Sequence, residues 1–150
     1  MNRYLVLVLF ILCVVGGGLT IGTLTAPGDW YAGLNKPSFN PPGWVFGPVW
    51  TVLYIAIAVA GWWTWERNDQ RNAGRLWWMQ LVLNFAWSPA FFAAQQIGLA
   101  LVIILALLLT IIAFIVATWR SARTASLLFL PYAAWVAFAS ILNAAIFVAN

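Results

Sequence analysis

The chain alternates between long apolar stretches and short polar connectors. A helix needs about 20 mostly apolar residues to cross the hydrocarbon core of a bilayer. Stretches of this kind occupy residues 4–24, 43–65, 76–95, 98–119 and 124–148. We therefore predict an all-α integral membrane protein that forms a single domain over residues 1–150, a bundle of five transmembrane helices.

The first apolar stretch also has features of a secretory signal peptide. Arg3 precedes an apolar run that ends in small residues, which is the order found in cleaved signals. Cleavage after Ala26 would leave Pro27 at the next position, where processing is expected to fail. We expect the segment to be retained as a helix.

The connector at residues 25–42 differs from the other connectors because it holds four of the seven prolines. Proline fixes φ and removes a backbone donor, so we expect this segment to be non-helical and stiff. We interpret it as a lid over one end of the bundle. A merely rigid connector is the alternative.

The positions of the basic residues predict the orientation of the chain. If the predicted helices cross in sequence, one face of the membrane receives Arg3, Arg67, Arg71, Arg75, Arg120 and Arg123, and the other receives Lys36. Basic residues are retained on the cytoplasmic side. We therefore expect a cytoplasmic N-terminus, an outward C-terminus and an outward-facing lid.

Composition excludes several classes of function. Of the 150 residues, 65% are hydrophobic and 7% are charged, with a net charge of +4 that lies beside the helix ends. That distribution is typical of a membrane protein and not of a nucleic-acid-binding surface. The chain has no histidine, one cysteine and three acidic residues. We therefore predict no metal site, no obligatory cofactor and no hydrolytic relay.

Most of the 11 tryptophans lie where the predicted helices end, as membrane-interface anchors usually do. Three lie deeper: Trp50 in the second helix, Trp87 in the third and Trp135 near the middle of the fifth. A buried indole N–H needs an acceptor that hydrocarbon does not supply. We expect these three rings to face protein or a cavity.

Polar and aromatic residues repeat at helical spacing beside these tryptophans, and residues four apart share a helix face. The stripes are Trp50 and Tyr54 on the second helix, Gln80, Asn84 and Ser88 on the third, and Trp135, Ala139 and Asn143 on the fifth. We predict that they line an aromatic ligand pocket beneath the lid. The alternative is that they only bond the helices to one another, and for Gln80 we favour that alternative.

Gly18 and Gly22 form a GxxxG motif in the first helix. This spacing lets two helices approach closely. The contact could lie within the bundle or between two copies of the chain, so a homodimer is one of two interpretations.

Three segments together resemble one known family: LNKPSFNPPGWVFGPVWTVLY at 34–54, QLVLNFAWSPAFF at 80–92 and PYAAWVAFASILN at 131–143. The chain is similar, over essentially its whole length, to the tryptophan-rich sensory protein and translocator protein family (TspO/MBR), also called the peripheral benzodiazepine receptor family. The resemblance implies a five-helix bundle, often dimeric, that binds porphyrins such as protoporphyrin IX and also isoquinoline carboxamides and benzodiazepines. Because the chain is compact and carries no organelle-targeting presequence, we expect a bacterial member in a bacterial membrane.

The resemblance also assigns roles to residues. The pocket tryptophans that the family links to light-dependent porphyrin breakdown match Trp50 and Trp135, and other pocket positions match Asn84, Trp87, Ala139 and Tyr31. Animal members carry a sterol-recognition stretch late in the fifth helix that requires a tyrosine followed by a basic residue. The matching segment LNAAIFVAN has neither, which argues against specific sterol binding.

Three hypotheses for function follow. The first is a membrane receptor or regulator that binds porphyrins and similar flat hydrophobic ligands, with outward export left open. The second is an enzyme that degrades protoporphyrin in light, with Trp50 and Trp135 as the catalytic residues. The third is an ion or small-solute transporter, which the absence of a charged residue in the middle of any predicted helix disfavours.

Overall fold

The structure, a computed structural model, describes residues 1–67 and 70–150, and the regular elements in that part of the chain are all helical. In chain order they are α1 (Arg3–Ile11), α2 (Gly17–Leu24), α3 (Asp29–Ala32), α4 (Phe46–Trp65), α5 (Arg71–Ser88), α6 (Ile97–Thr118) and α7 (Arg123–Ala149). A π-helical segment, Leu12–Gly16, joins α1 to α2 without a break, and a second one, Pro89–Ala93, extends α5. A 3₁₀ turn at Gly43–Val45 leads into α4.

The chain is a multi-pass membrane protein. Within the described residues, four helical stretches are long and apolar enough to cross a membrane, Arg3–Leu24, Gly43–Trp65, Ile97–Thr118 and Arg123–Ala149. The predicted count of five spans is not confirmed, because α5 is not among these four. Arg71 and Arg75 lie in its first turns and Gln80 and Asn84 in its interior, so its mean hydropathy is low.

The long helices pack as a closed ring in which chain neighbours are not always spatial neighbours. The rod formed by α1 and α2 contacts α4 and α5, α4 contacts α7, α7 packs along α6, and α6 packs along α5. The second and last long helices are therefore side by side. This pairing brings Trp50 of α4 against Tyr132 of α7.

A close helix contact fixes the end of the ring opposite the lid. The indole of Trp77 lies on Gly61, where a Cβ atom would overlap the ring. Its Nε1 donates to the backbone oxygen of Ile57 at 2.9 Å. Nearby, Arg3 pairs with Glu66 at 3.6 Å. The predicted polar connector of residues 66–75 includes residues 68 and 69, which lie outside the described part of the chain.

The lid is not entirely without helix, so the prediction of a wholly non-helical segment is wrong. α3 forms one turn within the lid. Its four residues lie between Pro27 and Pro37 and include no proline, so no backbone donor is lost in this turn. The lid is held to the end of α7 by its Asn35. The backbone N–H of Asn35 donates to Oδ1 of Asn150 at 3.0 Å, and Nδ2 of Asn150 donates back to the Asn35 oxygen at 2.9 Å.

Candidate functional site

Trp50 lies on the inner side of α4, against two tyrosines. Its ring centroid is 5.4 Å from that of Tyr54 and 6.4 Å from that of Tyr132 on α7. Tyr54 in turn covers Gly18 of α2, where a Cβ atom would overlap its ring. On its other side it meets Phe85 of α5, with centroids 6.5 Å apart. Trp50 and Tyr54, predicted to share a face, therefore lie together, and both are partly buried against the core.

A chain of buried hydrogen bonds runs beside this aromatic group. Asn84 Nδ2 donates to the Tyr132 hydroxyl at 2.6 Å, and that hydroxyl donates to Oε1 of Gln80 at 2.9 Å. Gln80 is fully buried, and its Nε2 has no hydrogen-bond partner. Asn84 was predicted to line the ligand pocket, but its amide nitrogen donates a hydrogen bond to Tyr132.

Three other predicted ligand residues also bond within the bundle. Trp87 Nε1 donates to Asn143 Oδ1 at 3.0 Å, and Asn143 Nδ2 donates to the backbone oxygen of Ile97 at 3.2 Å. The Ser88 and Thr25 hydroxyls share a hydrogen bond at 2.6 Å. These contacts join helices, as the alternative interpretation of the polar stripes expects.

Beneath the lid lies a second aromatic cluster, which sequence reasoning largely missed. Tyr31 of α3 packs edge-on to Phe91 and Phe92, with centroids 6.1 and 5.3 Å apart. Trp30 also meets Phe91, and Trp87 lies 5.3 Å from it. The available signal was the pair of phenylalanines that begins two residues after Pro89, at the π-helical end of α5. Tyr31 and Trp87 thus lie together, apart from Trp50.

Trp135 lines an apolar groove between α4 and α7. The groove has a volume of about 780 Å³ and is lined by Pro41, Pro48, Val49, Val52, Leu53, Pro131, Ala134, Trp135 and Phe138. The ring of Trp135 is held between Phe46 and Phe138, with centroids 5.8 and 5.6 Å away. Its Nε1 is buried and has no hydrogen-bond partner.

The groove opens on the flank of the bundle. Val52 is 66% exposed, and Pro48, Pro131 and Ala134 are exposed beside it. Trp50 does not line it. Ala139, one turn after Trp135, is buried in the core. The structure therefore places Trp50 and Trp135 on two sides of the contact between α4 and α7, with Tyr132 on the inner side.

The one basic residue expected on the lid side is already engaged. Lys36 Nζ donates to the backbone oxygens of Tyr31, Leu34 and Ala32 at 2.8, 3.1 and 3.3 Å. It also lies 4.6 Å from the centre of the Tyr31 ring. All three donors of the ammonium group are thereby used. Burial raises the pKa of Tyr31 above its ordinary value, while the hydrogen bond to Asn40 lowers it by less.

Residues able to hold a metal do not cluster in the part of the chain that the structure describes. Within residues 1–67 and 70–150 there is no group of three or more His, Cys, Asp or Glu side chains. The chemistry available at the groove is therefore that of aromatic and aliphatic surface, with one unpartnered indole N–H.

Comparisons with known proteins agree in pointing to one family. Residues 9–149 match the model of the TspO/MBR family. A tryptophan-rich protein TspO of Archaeoglobus fulgidus is 44% identical over 149 residues, which cover 96% of both chains. The human translocator protein is 40% identical over 134 residues, covering 84% of this chain and 79% of the relative. A tryptophan-rich sensory protein of Cereibacter sphaeroides is 34% identical over 143 residues, covering 95% and 90%.

Proposed function

Because the chain belongs to the TspO/MBR family, we propose that it is a membrane receptor or regulator that binds porphyrins and similar flat hydrophobic molecules. The ligand would lie in the groove between α4 and α7, with its ring system against Trp135 and Phe138. Protoporphyrin IX is the compound with which to test this. The names of the relatives, translocator protein and tryptophan-rich sensory protein, are compatible with either transport or sensing after binding.

The observation that carries the proposal is the size and lining of the groove. Small-molecule sites usually measure about 300–1,000 Å³ and are mostly apolar with a few polar groups, and the groove of about 780 Å³ falls in this range. Aromatic side chains offer a flat ligand faces and edges for stacking. The unpartnered Trp135 Nε1 is a donor that a small rotation of the indole would present to a ligand acceptor.

We also propose that α5 crosses the membrane and completes a five-helix bundle. Together with the π-helical segment Pro89–Ala93 it runs unbroken from residue 71 to 93, about 34 Å at 1.5 Å per residue. That length matches a hydrocarbon core of about 30 Å. Its polar side chains are covered, because Gln80 and Asn84 are buried against neighbouring helices.

The proposed orientation places the arginine-rich end in the cytoplasm and the lid outside. Arg67 donates to the backbone oxygen of Ser121 at 3.0 Å, so two connectors meet at the arginine-rich end. The lid and Asn150 meet at the other end. We also propose that two copies of the chain form a homodimer through lipid-facing surfaces of the bundle.

The decisive experiment is a titration of the purified protein with protoporphyrin IX, followed by quenching of tryptophan fluorescence. We expect saturable quenching, and we expect Trp135→Phe to weaken affinity by about tenfold, as loss of an aromatic ligand contact of about 1.5 kcal/mol would. The matched control is Trp44→Phe, because Trp44 lies in the 3₁₀ turn that leads into α4, is 76% exposed and does not line the groove. Equal affinities in the wild type and both variants would remove the groove from the binding site.

A second function, light-dependent degradation of bound porphyrin, is favoured by one observation. Trp50, Tyr54 and Tyr132 form a continuous group of oxidisable rings with centroids 5.4 and 6.4 Å apart. Illumination of the complex should then bleach the porphyrin absorbance band more slowly in Trp50→Phe and Trp135→Phe than in wild type. If the double variant bleaches porphyrin at the wild-type rate, the protein is a binder and not an enzyme.

A further inference from the structure

The groove between α4 and α7 opens sideways, toward the space that the bilayer occupies. Its floor includes Trp135 and Phe138, and its rim includes Val52 and Ala134, both exposed on the outside of the bundle. Both helices belong to the stretches that are apolar and long enough to span a membrane. The medium beside the rim is therefore hydrocarbon, with which an apolar lining is compatible.

The lid, by contrast, is attached to the bundle at several points. Asn35 and Asn150 exchange two hydrogen bonds, and Nδ2 of Asn35 adds a third to the Ala149 oxygen at 3.3 Å. Tyr31 packs on Phe92 and Phe39 packs on Phe138, with centroids 5.3 and 6.3 Å apart. A ligand that arrived from water beneath the lid would have to break these contacts first.

We infer that the ligand of this site enters from the bilayer, between α4 and α7, and that the lid stays in place while it does so. The inference rests on the proposed function, because it concerns the route to the same groove. It assigns the exposed rim residues Val52 and Ala134 as the sides of a lateral entrance. None of the described features of the groove requires the lid to move.

The lining also defines the chemical class of molecule that fits. No charged side chain lines the groove, and Lys36 at the lid has no donor to spare. The groove reaches from Pro41, at the lid end, to Leu53. Leu53 lies about 10 Å along α4 from the first residue of that helix, Phe46, at 1.5 Å per residue. An amphiphile fits this shape when its flat apolar body lies in the groove and its acidic groups remain at the membrane surface by Pro41.

The test compares two modified proteins, one with a narrowed lateral entrance and one with a cross-linked lid. Both are reconstituted into phosphatidylcholine nanodiscs, and protoporphyrin IX is the probe. Val52→Phe/Ala134→Phe narrows the entrance. Its matched control is Val102→Phe/Val116→Phe, which adds the same rings at exposed positions of α6. To hold the lid, Asn35→Cys/Asn150→Cys is joined by a short bismaleimide in a Cys13→Ser background. Association rates come from stopped-flow quenching of tryptophan fluorescence.

We expect the narrowed entrance to slow association by about tenfold, while the control and the cross-linked lid stay within about twofold of wild type. The lateral route would be overturned by the opposite pattern, in which the cross-linked lid blocks binding and the variant with the narrowed entrance binds porphyrin at the wild-type rate. Equal rates in all variants with binding intact would overturn it too. Absence of saturable binding by the wild type would instead overturn the proposed function, and the route with it.

A measurement that needs no porphyrin tests the opening itself. Phosphatidylcholine with brominated acyl chains quenches tryptophans that hydrocarbon can touch. The quenching assigned to Trp135, taken as the difference between wild type and Trp135→Phe, should be present and should fall by about half or more when Val52 and Ala134 are both replaced by Phe. If brominated chains do not quench Trp135 in the wild type, the groove is closed to the bilayer and the lateral route is wrong.

Discussion

The two glycines of the GxxxG motif should respond to alanine in opposite directions. Gly18 is covered by the Tyr54 ring, so a methyl group there overlaps three ring atoms, whereas nothing lies within 4 Å of a methyl group at Gly22. Alanine at either site gains about 0.5–1 kcal/mol of helix stability over glycine. Overpacking in a buried contact costs about 1–3 kcal/mol.

Gly22→Ala should therefore stabilise the protein by about 0.5–1 kcal/mol, and Gly18→Ala should destabilise it by up to about 2 kcal/mol. The difference between the variants cancels the helix-propensity gain and isolates the steric overlap. The measurement is reversible unfolding in mixed micelles, followed by far-ultraviolet circular dichroism. Because Tyr54 also packs on Trp50, Gly18→Ala should shift the tryptophan emission as well.

Two results would refute this reasoning. Equal effects of the two substitutions would mean that the Tyr54 ring moves aside freely. A Gly22→Ala variant that is the less stable of the two would mean that Gly22 contacts something beyond the single chain. In that case a dilution series, which separates copies of the chain, would distinguish a contact between copies from one with lipid.

Of three further predictions, two concern hydrogen bonds and one concerns the titration of Tyr31. Tyr132→Phe should lower the free energy of unfolding by about 1–3 kcal/mol, because it leaves two buried amide groups without a partner, and the same unfolding titration measures this. Asn150→Ala should speed amide hydrogen exchange in the lid, because it removes both hydrogen bonds to the Asn35 backbone. Asn35→Ala should speed it less, because it removes only the bond from the Asn35 side chain to the Ala149 oxygen. Burial raises the pKa of Tyr31, so the folded lid favours the neutral phenol. The contribution of this phenol to the free energy of unfolding is therefore present below the ordinary tyrosine pKa of about 10, and it is lost as the pH rises toward the pKa of Tyr31 in the folded protein. Tyrosinate absorbance of wild type against Tyr31→Phe should show that delayed titration, and identical curves would contradict it.

The sequence predicts the helical spans best where hydropathy and length agree. α6 is apolar from Ile97 to Thr118, and it is found where the pattern places it. The pattern also predicts a span over residues 76–95, but α5 is less apolar, and its interior amides are matched by Tyr132 on α7. A local hydropathy pattern cannot include partners that are distant in sequence.

Of the residues that line the groove, the sequence pattern singled out only Trp135. The stripe rule identified Trp50, Tyr54 and Asn84 as inward-facing, but it does not say which helices are neighbours. The pairing of α4 with α7 sets Trp135 against Phe46 and turns it to a flank groove. Likewise, no spacing rule indicates that Lys36 will cap the end of its own lid helix.

The tight turn between α5 and α6 bears on how the chain is made. Gln95 has a positive φ of 57°, so the two helices reverse within a few residues and pack along each other. If α5 crosses the membrane as proposed, it would enter during synthesis together with the strongly apolar α6 as a preformed hairpin. Substitutions that keep Gln95 from reversing the chain should therefore lower the yield of inserted protein before they alter anything in the finished bundle.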